Sequence, residues 1–251
     1  MNRAYWDGLA SGFQHDVLQV SECDTGEVIA ATARSLRGRS KRAIDFGCGP
    51  GAVTRAIAPF FGTTVGVDYA PKLLQEARRL SADTDILYEQ RNLERPPDPA
   101  WARADVGFCV NVLIHERAEL RQHIAAHVCS SVRPGGAIVV VVPSLESTLR
   151  TYQALLRCHE REGRSHARAR GALDRQSTTE IHSLTDGIVN VGGTLTKHFL
   201  QDEIAQFLHD HGCDVTRISR VEYPWQEELD DAPAWLGPLT PWDWLVRGTI
   251  R

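Results

Sequence analysis

The stretch Ala43 to Ala52, AIDFGCGPGA, limits what this chain can become more than any other, because it joins a short apolar run to a glycine cluster and then to a helical pattern. Arg42 to Phe46 has the length and apolarity of a buried strand, and Val53 to Phe60 has the spacing of a helix that Pro59 and Gly62 end. Between them Gly47, Gly49 and Gly51 permit positive φ and a close approach of backbone to a ligand. The free amides at the start of the following helix face the same place, an arrangement that also suits phosphate. Gly47, Gly49 and Ala52 satisfy the dinucleotide fingerprint GxGxxG/A as well, so the glycines alone do not choose the ligand. Val65 to Asp68, VGVD, adds a second apolar run that ends in a carboxylate about 20 residues on, where an acid can take both hydroxyls of a ribose.

The motifs DFGCGPG, VGVD, RNLERPP, NVLIH and VRPGGAIVVVVPS stand in one chain order. In that order and spacing, over about residues 40 to 145, the chain resembles the class I S-adenosylmethionine-dependent methyltransferases. The family signature runs acid, x, Gly, x, Gly, x, Gly, which Asp45, Gly47, Gly49 and Gly51 match, whereas a dinucleotide enzyme has no need of Asp45 or Gly51. An acid at the strand end suits an ammonium and a sulfonium and would repel a pyrophosphate. The resemblance implies an α/β fold: a seven-stranded Rossmann-like mixed sheet with its last strand antiparallel, flanked by helices, with a helical and hairpin insertion after strand five. It implies S-adenosylmethionine as cofactor and S-adenosylhomocysteine as product, held by Asp45, Gly47, Cys48, Gly49, Gly51, Asp68, Tyr69, Asn92, Leu93 and Asn111. Asn92 stands where the family often has Asp, with its side chain at the adenine amino group and the backbone of Leu93 at the ring edge; the alternative is that Asn92 caps a turn. Near the N-terminus Tyr5, Trp6, Leu9 and Phe13 share a helical face. That face either staples onto the core or, as in N-terminal caps of small-molecule methyltransferases, sets Tyr5 or Trp6 over the cofactor.

A chain of 251 residues suits one α/β domain with an insertion. A formal charge of −4 argues against a polyphosphate backbone as the main partner, since nucleic-acid binders carry a basic footprint, and favours a small-molecule acceptor. Six widely spaced cysteines without a CxxC pair read as reduced thiols in a cytoplasm. No leader and no membrane-length apolar window is evident, so the expectation is a soluble protein, monomer or homodimer, with no membrane partner.

The expected layout is a single domain over 1–251: cap helices over 1–38, a cofactor core over 39–145, an inserted lid and acceptor region over 146–199, and a helix with a strand hairpin over 200–251. Asp24 or Thr25 can cap a helix through Leu36, and Pro71 can start one that buries Leu73, Leu74, Ala77 and Leu80. Ile86 to Tyr88, Asp105 to Val110 and Ala137 to Val142 read as strands, the last apolar enough to be buried on both faces. His123 and His127 have the spacing of a metal pair, but no third ligand is near, and an exposed helix face is the alternative; no metal is expected. Glu146 to Glu162 reads as a helix, and GRSHARARGALDRQSTTE after it has little to bury and reads as a mobile lid. Arg157, Arg161, Arg164 and Arg168 would share a face if the helix continued, either to attract an anionic acceptor or to be solvated. Gly187 to Phe199 reads as a hairpin, Asp202 to His211 as a helix, and Val215 to Tyr223 with Trp244 to Ile250 as an antiparallel pair.

Methyl transfer from a sulfonium is an in-line displacement, so the main task is to hold donor and acceptor collinear and exclude water. A base helps where the acceptor carries a proton, and His115, Glu146 and His198 are the candidates. Each has a plainer reading: His115 as a helix-start residue, Glu146 as an acid favoured by the helix dipole, His198 as a strand residue facing away. The expected function is methyl transfer to O, N, S or C of a small molecule. The alternatives are an NAD(P)-dependent oxidoreductase, a non-catalytic cofactor-binding regulatory subunit, and RNA modification, for which the NPPY-type tetrapeptide is replaced by NVLIH.

Overall fold

The computed structural model describes residues 20–176, 179–229 and 232–251; Tyr5, Trp6, Leu9 and Phe13 lie outside them. Strands β1 (Gly38–Phe46), β2 (Phe61–Asp68), β3 (Leu87–Gln90), β4 (Ala104–Val110) and β5 (Val132–Pro143) come first in the chain. A second group, β6 (Thr179–Ser183), β7 (Ile188–Val191) and β8 (Thr194–Lys197), forms its own antiparallel sheet. Strands β9 (Cys213–Glu222) and β10 (Trp242–Ile250) then complete a seven-stranded sheet of order β3-β2-β1-β4-β5-β10-β9. Its first five strands are parallel, and β10 is antiparallel to both β5 and β9. The expected α/β sheet with its antiparallel last strand is therefore present.

The sheet is buried on both faces, and its alternation shows why. In β5, Ile138, Val140 and Val142 join one core cluster, while Val139 and Val141 join the other. A run of consecutive aliphatics has no solvent side to offer, which places it in the middle of a parallel sheet. Helices α1 (Val28–Leu36), α2 (Ala52–Ile57), α3 (Pro71–Leu80) and α4 (Ala118–Ser130) flank the sheet. The cap position of α1 is Glu27, which makes no side-chain cap bond; Asp24, expected as the cap, stands three residues earlier and its Oδ2 still accepts from the Ile29 amide at 2.9 Å. Pro71 opens α3, whose Leu73, Leu74 and Ala77 are buried. No helix among the described residues is long and apolar enough to cross a membrane.

Between β5 and helix α7 (Gln201–Asp210) lies the inserted segment, with helices α5 (Leu145–Arg161) and α6 (His166–Gln176) and the three-stranded sheet. Its two ends are pinned together: Ser144 bridges Phe199, the Leu145 amide donates to the Phe199 carbonyl at 2.9 Å, and the Phe199 amide to the Pro143 carbonyl at 2.8 Å. Two expectations are corrected here. The arginine-rich stretch is not coreless, because Ala169, Ala172 and Leu173 are buried on one stripe of α6. And Arg157, Arg161, Arg164 and Arg168 do not share one face: Gly163 turns the chain at φ 86°, and Arg164 pairs with Glu162 at 2.9 Å. The hairpin of β7 and β8 is as expected, but β6 is an addition, since TEIHS carries too little apolar character to announce a strand.

Candidate active site

Strand order reverses between β1 and β4, and at their carboxyl ends opens a cavity of about 1000 Å³. A parallel sheet leaves a crevice at such a switch point because neighbouring crossovers depart to opposite faces. Of the expected ligand residues, Asp45, Gly47, Cys48, Gly49, Asp68, Tyr69, Asn92, Leu93, Asn111, His115 and His198 all line this cavity. Tyr5 lies outside the described residues.

The glycine turn does three different jobs. Gly47 and Cys48 both donate their amides to the Val67 carbonyl, at 2.8 and 2.9 Å, which locks the turn onto the end of β2. Gly47 holds φ 71°, and a Cβ there would press into Val112. Gly51 does not line the cavity. At φ 83° it starts α2, and a Cβ on it would run into the Tyr88 hydroxyl, which is bonded to Ser81 at 2.8 Å. Its place in the signature is thus a packing requirement of the strand-to-helix turn rather than a ligand contact.

Two carboxylates stand behind this turn. Asp68, at 7% exposure, accepts from the Gly49 amide on Oδ2 at 3.0 Å and from the Ala70 amide on Oδ1 at 2.9 Å, which fixes the plane of the carboxylate. Each carboxylate oxygen can accept twice, so a plane held this way suits a vicinal diol. Asp45 is more deeply set, at 1% exposure, with the Thr54 hydroxyl donating to Oδ2 at 2.6 Å. Burial pushes its carboxyl up to about 7; the Thr54 hydrogen bond opposes this and the neighbouring Asp68 charge adds to it. Cys48 between them is an inert thiol, pushed up by burial and by both carboxylates.

Asn111 follows β4 in the left-handed region at φ 53°, a conformation rare outside glycine. Its amide donates to the Val141 carbonyl at 2.9 Å, and its side chain bonds Asp243. Its Oδ1 is buried without a partner in the protein. A buried acceptor left unsatisfied beside two carboxylates fits the donors of a bound ammonium. Asp243 also accepts from the Tyr223 hydroxyl at 2.6 Å, and burial raises its carboxyl to about 6. Neither Tyr223 nor Asp243 stood out in the sequence, because the residues that bring them here are the apolar ones around them on β9 and β10.

Asn92 makes the turn cap of the plainer reading, its Oδ1 accepting from the Glu94 amide at 2.9 Å, although it also lines the cavity beside Leu93. Arg91 at the rim is neutralised by Glu89 at 2.8 Å and lies 4.0 Å over the Trp101 ring. His127 is not on an exposed face. It is 4% exposed, bonds the Arg95 carbonyl and packs on Trp101. Among the described residues no group of three or more His, Cys, Asp or Glu side chains is placed to hold a metal.

Of the three candidate bases, two are brought together. His115 bridges Thr196 through its backbone, and its Nδ1 accepts from the Arg117 amide at 3.0 Å. His198 contacts the Thr148 hydroxyl at 2.7 Å through Nδ1 and the Thr196 hydroxyl at 3.2 Å through Nε2. Burial and the adjacent Lys197 charge push His198 down to about 4, so it is neutral at physiological pH. Lys197, one residue back, takes the opposite side, as alternation requires, and is paired to Glu203 at 2.5 Å. Glu146 stands elsewhere: its Oε1 accepts from the Gln201 amide at 2.8 Å, and its Oε2 from Trp244 Nε1 at 3.1 Å and the Ser144 hydroxyl at 3.2 Å. It ties α5 to α7 and β10, and is absent from the cavity wall.

Residues 43–136 match the family described as a methyltransferase domain. Over 116 residues the chain is 29% identical to the ubiquinone biosynthesis O-methyltransferase of Alkalilimnicola ehrlichii, which is 45% of each protein. Over 167 residues it is 27% identical to the malonyl-(acyl-carrier protein) O-methyltransferase of Enterobacter lignolyticus, 64% of this chain and 60% of that one. The matches thus span about half the length of these curated relatives. The fold is shared with the N-methyltransferase NodS of Bradyrhizobium japonicum in complex with S-adenosylhomocysteine, at TM-score 0.60 and 12% identity, over 98% of this chain and 97% of that one.

Proposed function

We propose, for a chain that belongs to the class I S-adenosylmethionine-dependent methyltransferases, that it transfers a methyl group from S-adenosylmethionine to a small-molecule acceptor. The observation that carries this is the pair Asp45 and Asp68 behind the glycine turn, one deeply buried and short of a cation, the other held flat by two backbone amides. Bound there, S-adenosylmethionine supplies a methyl group on a sulfonium that leaves as a neutral thioether. Asp68 takes the ribose hydroxyls, Asn92 and Leu93 flank the base, and Asp45 with Asn111 Oδ1 takes the cationic end. A dinucleotide would set its pyrophosphate against Asp45, and no observation favours the oxidoreductase or regulatory-subunit alternatives.

The inserted segment forms the acceptor side of the cavity through Thr148, Tyr152, Thr196 and His198. Its role is chiefly to orient the acceptor and exclude water. His198, neutral and with both ring nitrogens on hydroxyls, holds Thr148 and Thr196 in place at the acceptor side; His115, whose Nδ1 accepts from the Arg117 amide, presents an Nε2–H and donates to the acceptor rather than taking its proton. Glu146 has its oxygens committed to α7, β10 and Ser144 and is assigned no part in the chemistry. Both relatives quoted are named O-methyltransferases, which favours oxygen as the accepting atom. A cytoplasmic location, as monomer or homodimer, rests on composition.

The test is titration calorimetry with S-adenosylhomocysteine and NAD, followed by release of S-adenosylhomocysteine over a panel of small hydroxyl, amine and thiol acceptors. Cofactor binding with release on at least one acceptor is expected. Tighter binding of NAD would overturn the assignment, and tight binding without turnover on any acceptor would overturn the catalytic part of it.

A further inference from the structure

Helix α5 has two working faces. Thr148, Thr151, Tyr152 and Leu155 look into the large cavity, and the opposite side meets a short turn at Ala234–Leu236. There a second cavity of about 630 Å³ is lined by Arg150, Arg157 and Arg161, with Glu160, Trp235 and Leu236 among its other walls. Positions 150, 157 and 161 fall seven and four apart, so the three guanidiniums descend one stripe of the helix.

In a chain of net charge −4, arginines ordinarily find carboxylates. Among the described residues no ion pair joins Arg150, Arg157 or Arg161 to an acid, and Glu160 in the same cleft is taken by His166 Nδ1 at 2.8 Å. Two of the three are held by indoles instead. Arg161 lies 4.2 Å over the Trp235 ring, and Arg150 lies 5.5 Å over Trp225. Stacking on a ring face fixes a guanidinium while its edge N–H donors stay turned outward. Nη1 of Arg150 is buried without any acceptor; burial first and then the like charge of Arg220 weigh against its guanidinium, and the Glu222 charge offsets them only in part. A cluster of positive charge with an unsatisfied buried donor is costly in the free protein, and an anion relieves both terms.

We propose that this cleft is a site for the phosphate group of a small organic molecule, separate from the cofactor cavity. A phosphate dianion offers three strong acceptor oxygens to three guanidiniums, where a carboxylate offers one charge and two oxygens. The volume exceeds what a bare phosphate fills, and Trp235 and Leu236 give the organic part an apolar wall.

The probe is phenyl phosphate, titrated calorimetrically into the full chain at constant ionic strength, with inorganic phosphate and benzoate as the other arms. Phenyl phosphate should bind more tightly than phosphate, and benzoate least. Arg157→Gln with Arg161→Gln should weaken phenyl phosphate by about tenfold or more for each arginine, the loss expected for a charge-assisted hydrogen bond. Both side chains are exposed, and unchanged S-adenosylhomocysteine affinity reports that the double variant is folded. Arg150→Lys, which keeps the charge and loses the fork, should weaken binding less than the double variant. The proposal is overturned if the double variant binds phenyl phosphate as the parent does, if chloride at equal ionic strength competes fully, or if S-adenosylhomocysteine displaces the probe. Tighter, steeply salt-dependent binding of a DNA oligonucleotide would overturn it in favour of a polyanion surface.

Discussion

Binding of S-adenosylmethionine to this protein should release a proton, and Asp45 is its source. The Asp45 carboxyl, 1% exposed, is lifted by burial from an ordinary 3.8 to about 7, against a Thr54 hydrogen bond that favours ionisation and with the Asp68 charge acting in the same sense as burial. That displacement corresponds to at most ~4 kcal/mol between the protonated and ionised forms, at about 1.36 kcal/mol per pH unit. The sign follows from which state holds the proton. Above the unfolded value near 3.8 the unfolded chain has released it while the folded one retains it, so the free protein loses stability as pH rises towards about 7. A bound cation reverses this by favouring the ionised form, so affinity should climb over the same window and level off above it. A group titrating near 7 gives up about 0.9 proton on binding at about pH 6 and about 0.1 at about pH 8. Calorimetry in two buffers of different ionisation enthalpy counts those protons directly. Asp45→Asn keeps an oxygen for the Thr54 hydroxyl and removes the titration, so it should abolish the release, weaken S-adenosylmethionine and flatten the pH dependence of the melting temperature. Equal release at both pH values, or release that persists in Asp45→Asn, would refute the reasoning.

Asp68→Ala should cost about 1.5–3 kcal/mol of cofactor affinity, the range for hydrogen bonds to a charged group, and unchanged affinity by calorimetry would remove Asp68 from the ribose. Gly47→Ala and Gly51→Ala both put a Cβ at positive φ, so each should lose more than about 1 kcal/mol of stability; only Gly47 lines the cavity, so cofactor affinity of the folded protein should fall further in Gly47→Ala. Lys197 is 2% exposed and paired to a Glu203 that is 40% exposed, so Glu203→Gln, which leaves the buried ammonium the Asp186 carbonyl but no paired carboxylate, should lower urea-melt stability more than Lys197→Met, which lets Glu203 turn to water; the reverse order would discard that account. With an acceptor in hand, His198→Gln should leave the pH profile of turnover unchanged between about pH 6 and about pH 8, because His198 sits near 4, and loss of an acidic limb in that variant would make His198 the base.

The glycine turn and the two carboxylates behind it were legible because their geometry is local. Asp45, Gly47, Gly49 and Asp68 lie at the ends of adjacent strands, and spacing along the chain is enough to bring strand ends together. The rest of the cavity wall was less legible because it is assembled across the chain. Tyr223 and Asp243 reach Asn111 only once β10 has inserted beside β5, a pairing that no local pattern announces. The error on α6 has a different cause. Ala169, Ala172 and Leu173 make a narrow buried stripe, and small side chains next to four arginines read as polar when the window is averaged. Glu146 was misjudged for a third reason. A carboxylate at a helix start after β5 can face either the ligand or the neighbouring helix, and the Gln201 amide and the Trp244 indole decide for the latter.

The same geometry explains why α5 can carry two sites without confusing them. Its start is fixed by Ser144, whose hydroxyl accepts from the Ser147 amide at 3.0 Å, and by Ser147, whose own hydroxyl accepts from the Trp242 amide at 2.8 Å. The helix therefore has no freedom to roll about its axis at the end nearest the cofactor. With the roll set, Thr148 must meet His198, and the stripe of Arg150, Arg157 and Arg161 must point the other way. An anion in the outer cleft would then act on methyl transfer only by translating or tilting the helix, which moves Thr148 and with it His198. Coupling of that kind is reciprocal in binding free energy. Phenyl phosphate at saturation should change acceptor affinity and leave S-adenosylhomocysteine affinity alone, since none of the groups assigned to the cofactor lies on α5. A change in S-adenosylhomocysteine affinity with acceptor affinity constant would mean that the helix does not transmit the signal.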